Sequence, residues 1–207
     1  PVEVGIEADA KAGLAILLQQ LRAISSPKAS RCAEIDKYKR MFADEVRNMA
    51  PEQVHVVDAI RRETDDDAIV VSGVTNIGYW SNLAYPVKLP RTYVASSYFG
   101  TLGFAFPTAL GAKVAYPDRQ VVALCGDGGF MYNVQELSTA VKYGLNVVAL
   151  VFNNRSYGAS QWDQTHRYGG RYTGTDLLNP DFVKLAEAFG VKGMRTTVNG
   201  LRESLRE

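Results

Sequence analysis

The hydrophobic pattern becomes regular from residue 51 onward. Unbroken apolar runs at 121–125 and 147–152 are typical of strands that are covered on both faces. Further strands are predicted at 69–72 and near 193–197, and helices from Pro51, at about 104–116, at about 134–143 and at 179–190. Strands that alternate with helices form a parallel sheet with right-handed crossovers. The predicted fold is therefore α/β, a doubly wound and mostly parallel sheet with helices on both faces.

Local signals refine this pattern. Asn133 and Glu136 have the spacing of a capping box at the start of the helix near 134–143, and Gly144 is placed to end that helix. Two segments are predicted as loops: 73–90, which is rich in glycine and aromatic residues, and a stretch of about 25 residues after 147–152.

The first 24 residues have a different character. Residues 2–6 alternate as a strand does, and Asp9 can cap a helix. The apolar face of that helix consists of Leu14, Leu17, Leu18 and Leu21. One strand and one helix cannot form a domain, so 1–24 is interpreted as the end of a preceding domain.

The remaining boundaries follow from composition. Residues 25–50 mix charges with a Ser-Ser-Pro break and are predicted as a linker with some helix, which leaves 51–207 as the principal domain. The chain starts at Pro1 and ends in 201–207, a stretch typical of the beginning of a helix. We therefore expect both ends to lie within a longer polypeptide, with the last domain truncated.

Composition excludes several classes of protein. The 207 residues are 46% hydrophobic and 22% charged with a net charge of +1, which argues against disorder and against a polybasic surface for nucleic acid or membrane. No apolar run is long enough for a transmembrane helix. Cys32 and Cys125 have no paired spacing, which argues against a disulfide scaffold or a zinc site and fits a reducing cytoplasm.

Polar residues follow two of the predicted strands directly. Asp127 lies in Gly126-Asp127-Gly128-Gly129 after 121–125, and Asn154 follows 147–152. If these strands are neighbours, the carboxylate and the amide share one crevice and suit Mg²⁺, while the glycine residues let backbone N–H groups approach phosphate. Asp-Gly and Asn-Asn each occur commonly in ordinary turns and loops. Their occurrence together, each directly after one of two consecutive buried strands, favours a Mg²⁺–diphosphate site.

These residues resemble a known family. Gly126-Asp127-Gly128, with Asn154 placed 27 positions after Asp127, is similar to the fingerprint of thiamin diphosphate (ThDP) enzymes. The stretches 100–113 and 135–144 resemble acetolactate synthase large subunits and related decarboxylases. The resemblance covers roughly 51–200, which would be the C-terminal ThDP-binding domain, and 1–24 resemble the end of the family's central domain.

The resemblance implies roles for individual residues. Mg²⁺ would be bound by the side chains of Asp127 and Asn154 and by the backbone carbonyl of Ser156. Contacts with the cofactor would come from Gly126, Gly128, Gly129, Tyr157, Ser72, Thr75 and Asn76. The last two depart from the synthase pattern, because Thr75-Asn76-Ile77 stands where many synthases have Gly-Gln-His.

The resemblance also implies two catalytic contacts. Leu102 would support the bent conformation of the cofactor, and the Gly100 carbonyl would accept a hydrogen bond from the aminopyrimidine; Leu102 as an ordinary core residue is the alternative. The loop 157–176 is either a solvated loop or a lid over the substrate. Within it, Ser160 and Trp162 could help to select the substrate.

As a whole, the resemblance implies an enzyme that decarboxylates a 2-keto acid such as pyruvate and then joins it to a second keto acid. A simple decarboxylase of the benzoylformate or indolepyruvate type, and a non-catalytic phosphate-binding module, are the alternatives. The cofactors would be ThDP and Mg²⁺, with FAD only in the full-length parent. An activating glutamate would come from the N-terminal pyrimidine-binding domain of a partner subunit in a homodimer or homotetramer, so we expect this chain alone to be inactive.

Overall fold

The computed structural model describes residues 3–25, 29–96 and 98–207. The chain divides into two compact units, Pro1–Phe42 and Ala43–Glu207, and the division falls within one helix. The predicted boundaries at residues 24 and 50 stay a prediction.

The first unit is helical. It contains α1 (Ala10–Ile24) and the first part of α2 (Cys32–Met49). The Asp9 side chain accepts a hydrogen bond from the Ala12 amide at 3.0 Å, which confirms the predicted cap. The strand predicted at 2–6 is wrong for residues 3–6, which pair with no other strand in the described part of the chain; residue 2 lies outside it.

The second unit alternates strands and helices. Its further elements are α3 (Pro51–Arg62), β1 (Ile69–Ser72), α4 (Asn76–Ala84), β2 (Tyr93–Ala95), α5 (Ala105–Ala115), β3 (Val121–Gly126), α6 (Asp127–Met131), α7 (Glu136–Tyr143), β4 (Val148–Phe152), α8 (Gly158–Arg167), α9 (Phe182–Ala188) and α10 (Leu201–Arg206).

The strands form one parallel sheet in the order β2-β1-β3-β4. Side chains of successive residues point to opposite faces of a strand. Val121 and Ala123 pack on one face against α5 and α7, whereas Val122 and Leu124 pack on the other face against α3, α4 and α10. Helices therefore cover both faces, and the predicted doubly wound α/β fold is confirmed.

The segment 73–90, predicted as a loop, contains a helix. The buried residues of α4 are Ile77, Gly78 and Ser81, and a single large apolar residue gives no helical hydrophobic pattern. A side chain at position 78 would bring its Cβ to 2.1 Å from the Gly73 carbonyl oxygen, so only glycine lets α4 pack this closely. The short strand β2 also went unpredicted.

Other local predictions had mixed outcomes. Gly144 ends α7 with a φ of 61°, as predicted. The capping box is wrong, because the Asn133 side chain donates through Nδ2 to the Gly103 carbonyl and the Glu136 carboxylate accepts from the Thr139 hydroxyl. The long loop after β4 contains α8.

The predicted strand near 193–197 is also wrong. Gly193 packs against α9, and a Cβ there would lie 2.8 Å from the Val183 carbonyl oxygen. The chain therefore passes close to α9 at Gly193, and 191–197 pair with no strand.

Within the described ranges, no helix is both long and apolar enough to cross a membrane.

Candidate functional site

The candidate site lies where β3 and β4 end. These strands are parallel neighbours, and Gly126 is paired in register with Phe152. The next residue after β3 is Asp127, which begins α6, and Asn153 and Asn154 follow β4 directly. The sheet therefore delivers the predicted carboxylate and amide to the same edge.

Asp127 is the most buried carboxylate at this edge, with 2% of its surface exposed. Its Oδ1 accepts a hydrogen bond from the Gly128 amide at 2.9 Å. Its Oδ2 accepts from the Arg155 amide and from Asn179 Nδ2, both at 2.7 Å. All three donors are neutral, and no ion pair in the described part of the chain includes Asp127. A buried carboxylate without a basic partner is a strong attractor of a cation.

The loop after β4 holds the two asparagine residues by short side-chain-to-backbone bonds. Asn153 Oδ1 accepts from the Arg155 amide at 3.2 Å, and Asn154 Oδ1 accepts from the Ser156 amide at 3.2 Å. Arg155 has a φ of 58°, which turns the chain sharply. Because Asp127 and Asn154 bind the amides of consecutive residues, their oxygen atoms lie beside the same short stretch of backbone.

Gly128 is covered by the loop after β4. A Cβ at this position would lie 2.5 Å from Tyr157 Cε1 and 2.9 Å from Leu177 Cδ1. The absence of a side chain therefore lets Tyr157 pack against α6, in addition to the predicted approach to phosphate. The neighbouring Tyr132 hydroxyl, followed by partial burial and the charge of Asp127, raises the pKa of Tyr157.

The residues predicted after β1 separate into two groups. Thr75 lies against the site, because a Cβ on Gly126 would be 3.0 Å from its Oγ1. The Ser72 hydroxyl instead donates to the Gly78 carbonyl at 3.2 Å in a buried network with Ser81. Asn76 is exposed, and its side chain accepts from Gln53 at 3.3 Å. Of the three, Thr75 is the side chain that the structure brings to the crevice.

Leu102 lies next to Gly129. A Cβ on Gly129 would be 3.8 Å from Leu102 Cδ2, an ordinary contact distance. The two residues line one small cleft, together with Gly73, Val74, Gly103, Phe104, Ala105, Phe106, Cys125, Gly126 and Phe130. Gly100 is exposed and has a φ of 57°. Leu102 therefore borders the same edge as Asp127, while Gly100 faces solvent.

The donor set fits Mg²⁺. A carboxylate, an amide oxygen and the Ser156 carbonyl are hard oxygen ligands, and Mg²⁺ normally takes its remaining ligands from phosphate and water. The described residues contain no group of three or more His, Cys, Asp and Glu that could hold a metal ion.

Asn179 is the residue of the site that sequence reasoning missed. Asn179-Pro180 was interpreted only as the start of a helix. In the structure, Asp181 is the residue that caps α9, accepting from the Val183 and Lys184 amides, and the Asn179 side chain points back to Asp127. The hydrophobic pattern of the sequence cannot predict such a contact, because the two residues are 52 positions apart.

Three further titratable residues, Cys125, His166 and His55, are assigned no role at the candidate site. Burial raises the pKa of the Cys125 thiol to about 12, so it stays protonated at neutral pH. The His166 ring stacks on Trp162 with centroids 4.2 Å apart on the exposed surface of α8. His55 is exposed on α3.

Comparison with known proteins agrees with this geometry. Residues 73–207 match the family described as thiamine pyrophosphate enzyme, C-terminal TPP binding domain. The chain belongs to this family. The resemblance inferred from Gly126-Asp127-Gly128 and Asn154 is thereby confirmed at the level of the family, and thiamin diphosphate is the cofactor for which the domain is named.

Individual relatives are acetolactate synthases. The chain is 40% identical to the acetolactate synthase large subunit of Haemophilus influenzae over 187 residues, which cover 89% of this chain and 31% of that protein. It is 35% identical to the large subunit of Corynebacterium glutamicum, covering 95% and 33%. The mitochondrial catalytic subunit of Saccharomyces cerevisiae is 32% identical, covering 93% and 29%. The chain thus spans about a third of the length of these relatives.

Proposed function

We propose that this chain binds the diphosphate of ThDP through Mg²⁺ and forms the C-terminal part of an acetolactate synthase-like 2-keto acid enzyme. The observation that carries the proposal is the buried Asp127 carboxylate, which has only neutral donors and shares its edge of the sheet with Asn154. A divalent cation would supply the missing positive charge, and a diphosphate would complete its ligands.

The metal-binding roles follow from this arrangement. Asp127 and Asn154 would bind Mg²⁺ through side-chain oxygens and Ser156 through its carbonyl. The backbone amide of Arg155 and the side-chain amide of Asn179 donate to Asp127 Oδ2 and so orient the carboxylate. Gly126, Gly128, Gly129, Tyr157 and Thr75 would surround the diphosphate. Ser72 and Asn76 receive less support, because their side chains are bonded within the protein.

The cleft beside Leu102 is the proposed place for the reactive part of the cofactor. When bound, ThDP would supply a nucleophilic thiazolium carbon and a cationic ring that accepts the electron pair left behind when carbon dioxide departs. Leu102, packed beside Gly129, would support the cofactor from below without competing for hydrogen bonds. The Gly100 carbonyl would accept a hydrogen bond from the aminopyrimidine.

The rest of the proposal concerns the full-length parent. The names of the relatives support decarboxylation followed by carboligation, with a substrate such as pyruvate, in preference to simple decarboxylation. An N-terminal pyrimidine-binding domain of a partner subunit in a homodimer or homotetramer would supply the activating glutamate. FAD would bind outside this chain, 1–24 would end a central domain, and the location would be the cytoplasm.

The binding step can be tested by calorimetry on the 207-residue chain. ThDP should bind only with Mg²⁺, and Asp127→Asn should weaken this binding by more than about 100-fold, beyond the ~10–100-fold loss typical for residues that only orient a ligand. Asp118→Ala, which removes an exposed carboxylate on the surface, is the matched control and should bind as the wild type does. Binding that is equal with and without Mg²⁺ would instead indicate a general phosphate-binding module.

The catalytic step gives a second test. With ThDP and Mg²⁺ present, the 207-residue chain should release no carbon dioxide from pyruvate, because the activating glutamate is assigned to another domain. Measurable turnover by the purified chain would contradict that assignment while leaving the metal site intact.

A further inference from the structure

The Asn179 side chain links the two loops of the candidate metal site. Its Nδ2 donates to Asp127 Oδ2 at 2.7 Å and to Asn153 Oδ1 at 2.9 Å. A primary amide has two N–H groups, and both are used here on acceptors from different loops. One loop follows β3 and the other follows β4, so a single amide holds both motif segments together.

These bonds restrict how Asp127 presents its carboxylate. With Asn179 and the Arg155 amide both on Oδ2, that oxygen is committed to the protein, whereas Oδ1 accepts only from the adjacent Gly128 amide. A carboxylate fixed in this way has one defined orientation before a metal arrives. Mg²⁺ demands near-ideal octahedral geometry, so a fixed ligand favours it over a larger and more tolerant cation such as Ca²⁺.

We propose that Asn179 is a positioning residue that holds the Asp127 carboxylate in the orientation required for Mg²⁺, an inference that rests on the proposed function. A structural role in starting α9 does not account for the side chain. That role belongs to Asp181, whose Oδ1 accepts from the Val183 amide at 3.0 Å and the Lys184 amide at 3.4 Å. The Asn179 side chain instead donates to Asp127 and Asn153, on the two loops of the candidate metal site.

The test measures metal binding without catalysis. Mn²⁺ is titrated into the 207-residue chain with saturating ThDP, and free Mn²⁺ is followed by electron paramagnetic resonance. Asn179→Leu, which keeps the size and neutrality of the side chain but removes both donors, should weaken Mn²⁺ binding by about 10–100-fold. Asn179→Ala should give the same loss and serves if the leucine variant folds poorly. Asp181→Ala, which removes the cap of α9, is the matched control and should bind Mn²⁺ as the wild type does.

Competition by other cations separates positioning from general loosening. Mg²⁺ and Ca²⁺ are used to displace Mn²⁺ from the wild type and from both Asn179 variants. A misplaced carboxylate should lower the affinity for Mg²⁺ more than that for Ca²⁺, so the ratio of the two affinities should fall. A purely structural defect would weaken both ions equally and leave the ratio unchanged.

The outcomes distinguish this inference from the proposed function. If the wild type binds no Mn²⁺ in the presence of ThDP, the proposed function fails and the inference fails with it. If the wild type binds and the Asn179 variants match it, or if Asp181→Ala loses as much affinity as they do, only the positioning role is overturned. An unchanged ratio of Mg²⁺ to Ca²⁺ affinity would also overturn it.

Discussion

The carboxyl ends of β3 and β4 and the segment around Gly100 represent opposite ends of the proposed cofactor site, and they differ in burial. At the first, Asp127 is 2% exposed and accepts three hydrogen bonds. At the second, Tyr98 and Phe99 are 91% and 89% exposed and contact each other edge to face. In the proposed site, the chain would therefore complete the diphosphate end itself, whereas the pyrimidine end would be an open surface.

This difference indicates where binding energy can arise in the chain alone. Interactions with metal and diphosphate use groups that are already held in place, so little conformational freedom is lost when they bind. Interactions near Gly100 would need a second surface to exclude water. Perturbing each end separately should therefore give unequal effects.

The largest effect is expected at the diphosphate end. Gly128→Ala should lower the free energy of unfolding by about 1–3 kcal/mol, because its Cβ would press on Tyr157 at 2.5 Å. Gly129→Ala, in the same short helix, meets no atom closer than 3.7 Å and should change stability by less than about 1 kcal/mol. Urea unfolding of the unliganded variants measures both, and equal destabilisation would show that Tyr157 does not pack on Gly128.

A second experiment compares ligands that reach one or both ends. Inorganic pyrophosphate with Mg²⁺ should bind the chain within about tenfold of ThDP with Mg²⁺, a difference of at most ~1.4 kcal/mol. Calorimetric competition between the two ligands provides the measurement. ThDP binding that is a hundredfold tighter would mean that the pyrimidine end already contributes without a partner.

A smaller change is expected from Leu102→Ala. Leu102 borders the cleft, is only half-buried and would contact the cofactor toward the end that the chain leaves open, so the affinity of the chain for ThDP with Mg²⁺ should change by less than about threefold, or ~0.7 kcal/mol. The same calorimetric titration tests this. A tenfold loss would place the cofactor ring firmly in the cleft of the isolated chain.

The smallest effect concerns neither end and serves as a reference. Glu63, at the amino edge of the sheet, accepts hydrogen bonds from Arg202 and Arg206 of α10, and these lower its pKa below the ordinary 4.5. A carboxyl group whose pKa is lowered in the folded state stabilises the fold at a pH above its ordinary pKa. This contribution disappears as the pH falls through the lowered pKa. Thermal unfolding of wild type and Glu63→Gln should therefore differ slightly at pH 7 and converge in acid, whereas ThDP binding at pH 7 should be the same.

Much of the fold could be predicted because burial leaves a direct pattern. The apolar run of β3, which is buried except for its last residue, and the position of Gly144 each reflect a local requirement. The similar run of β4 predicted the strand correctly but not its burial, because β4 is an edge strand whose residues are exposed or half-buried. The helix α4 escaped prediction because it packs through Gly78 and Ser81, whose small size matters only against a neighbouring backbone. The predicted strand near 193–197 is wrong, because the segment joins no strand of the sheet and instead passes close to Val183 of α9 at Gly193.

The candidate site divides in the same way. Asp127 and Asn154 could be predicted since each follows a recognisable strand, and the structure brings both to one edge. Asn179 could not be predicted, because it lies 52 positions after Asp127 in the sequence and contacts it only in the folded chain. Ser72 was assigned by position in the loop, but its side-chain direction depends on the packing of α4.

The chain between β4 and α9 has a further consequence for how such proteins diversify. Arg155–Tyr157 and 175–177 form a short antiparallel ribbon, with Tyr157 donating to the Thr175 carbonyl and Leu177 to the Arg155 carbonyl, both at 2.8 Å. The segments that precede and follow α8 are thus hydrogen-bonded to each other. We therefore expect that the sequence and length of α8 can change without moving the two loops of the candidate site.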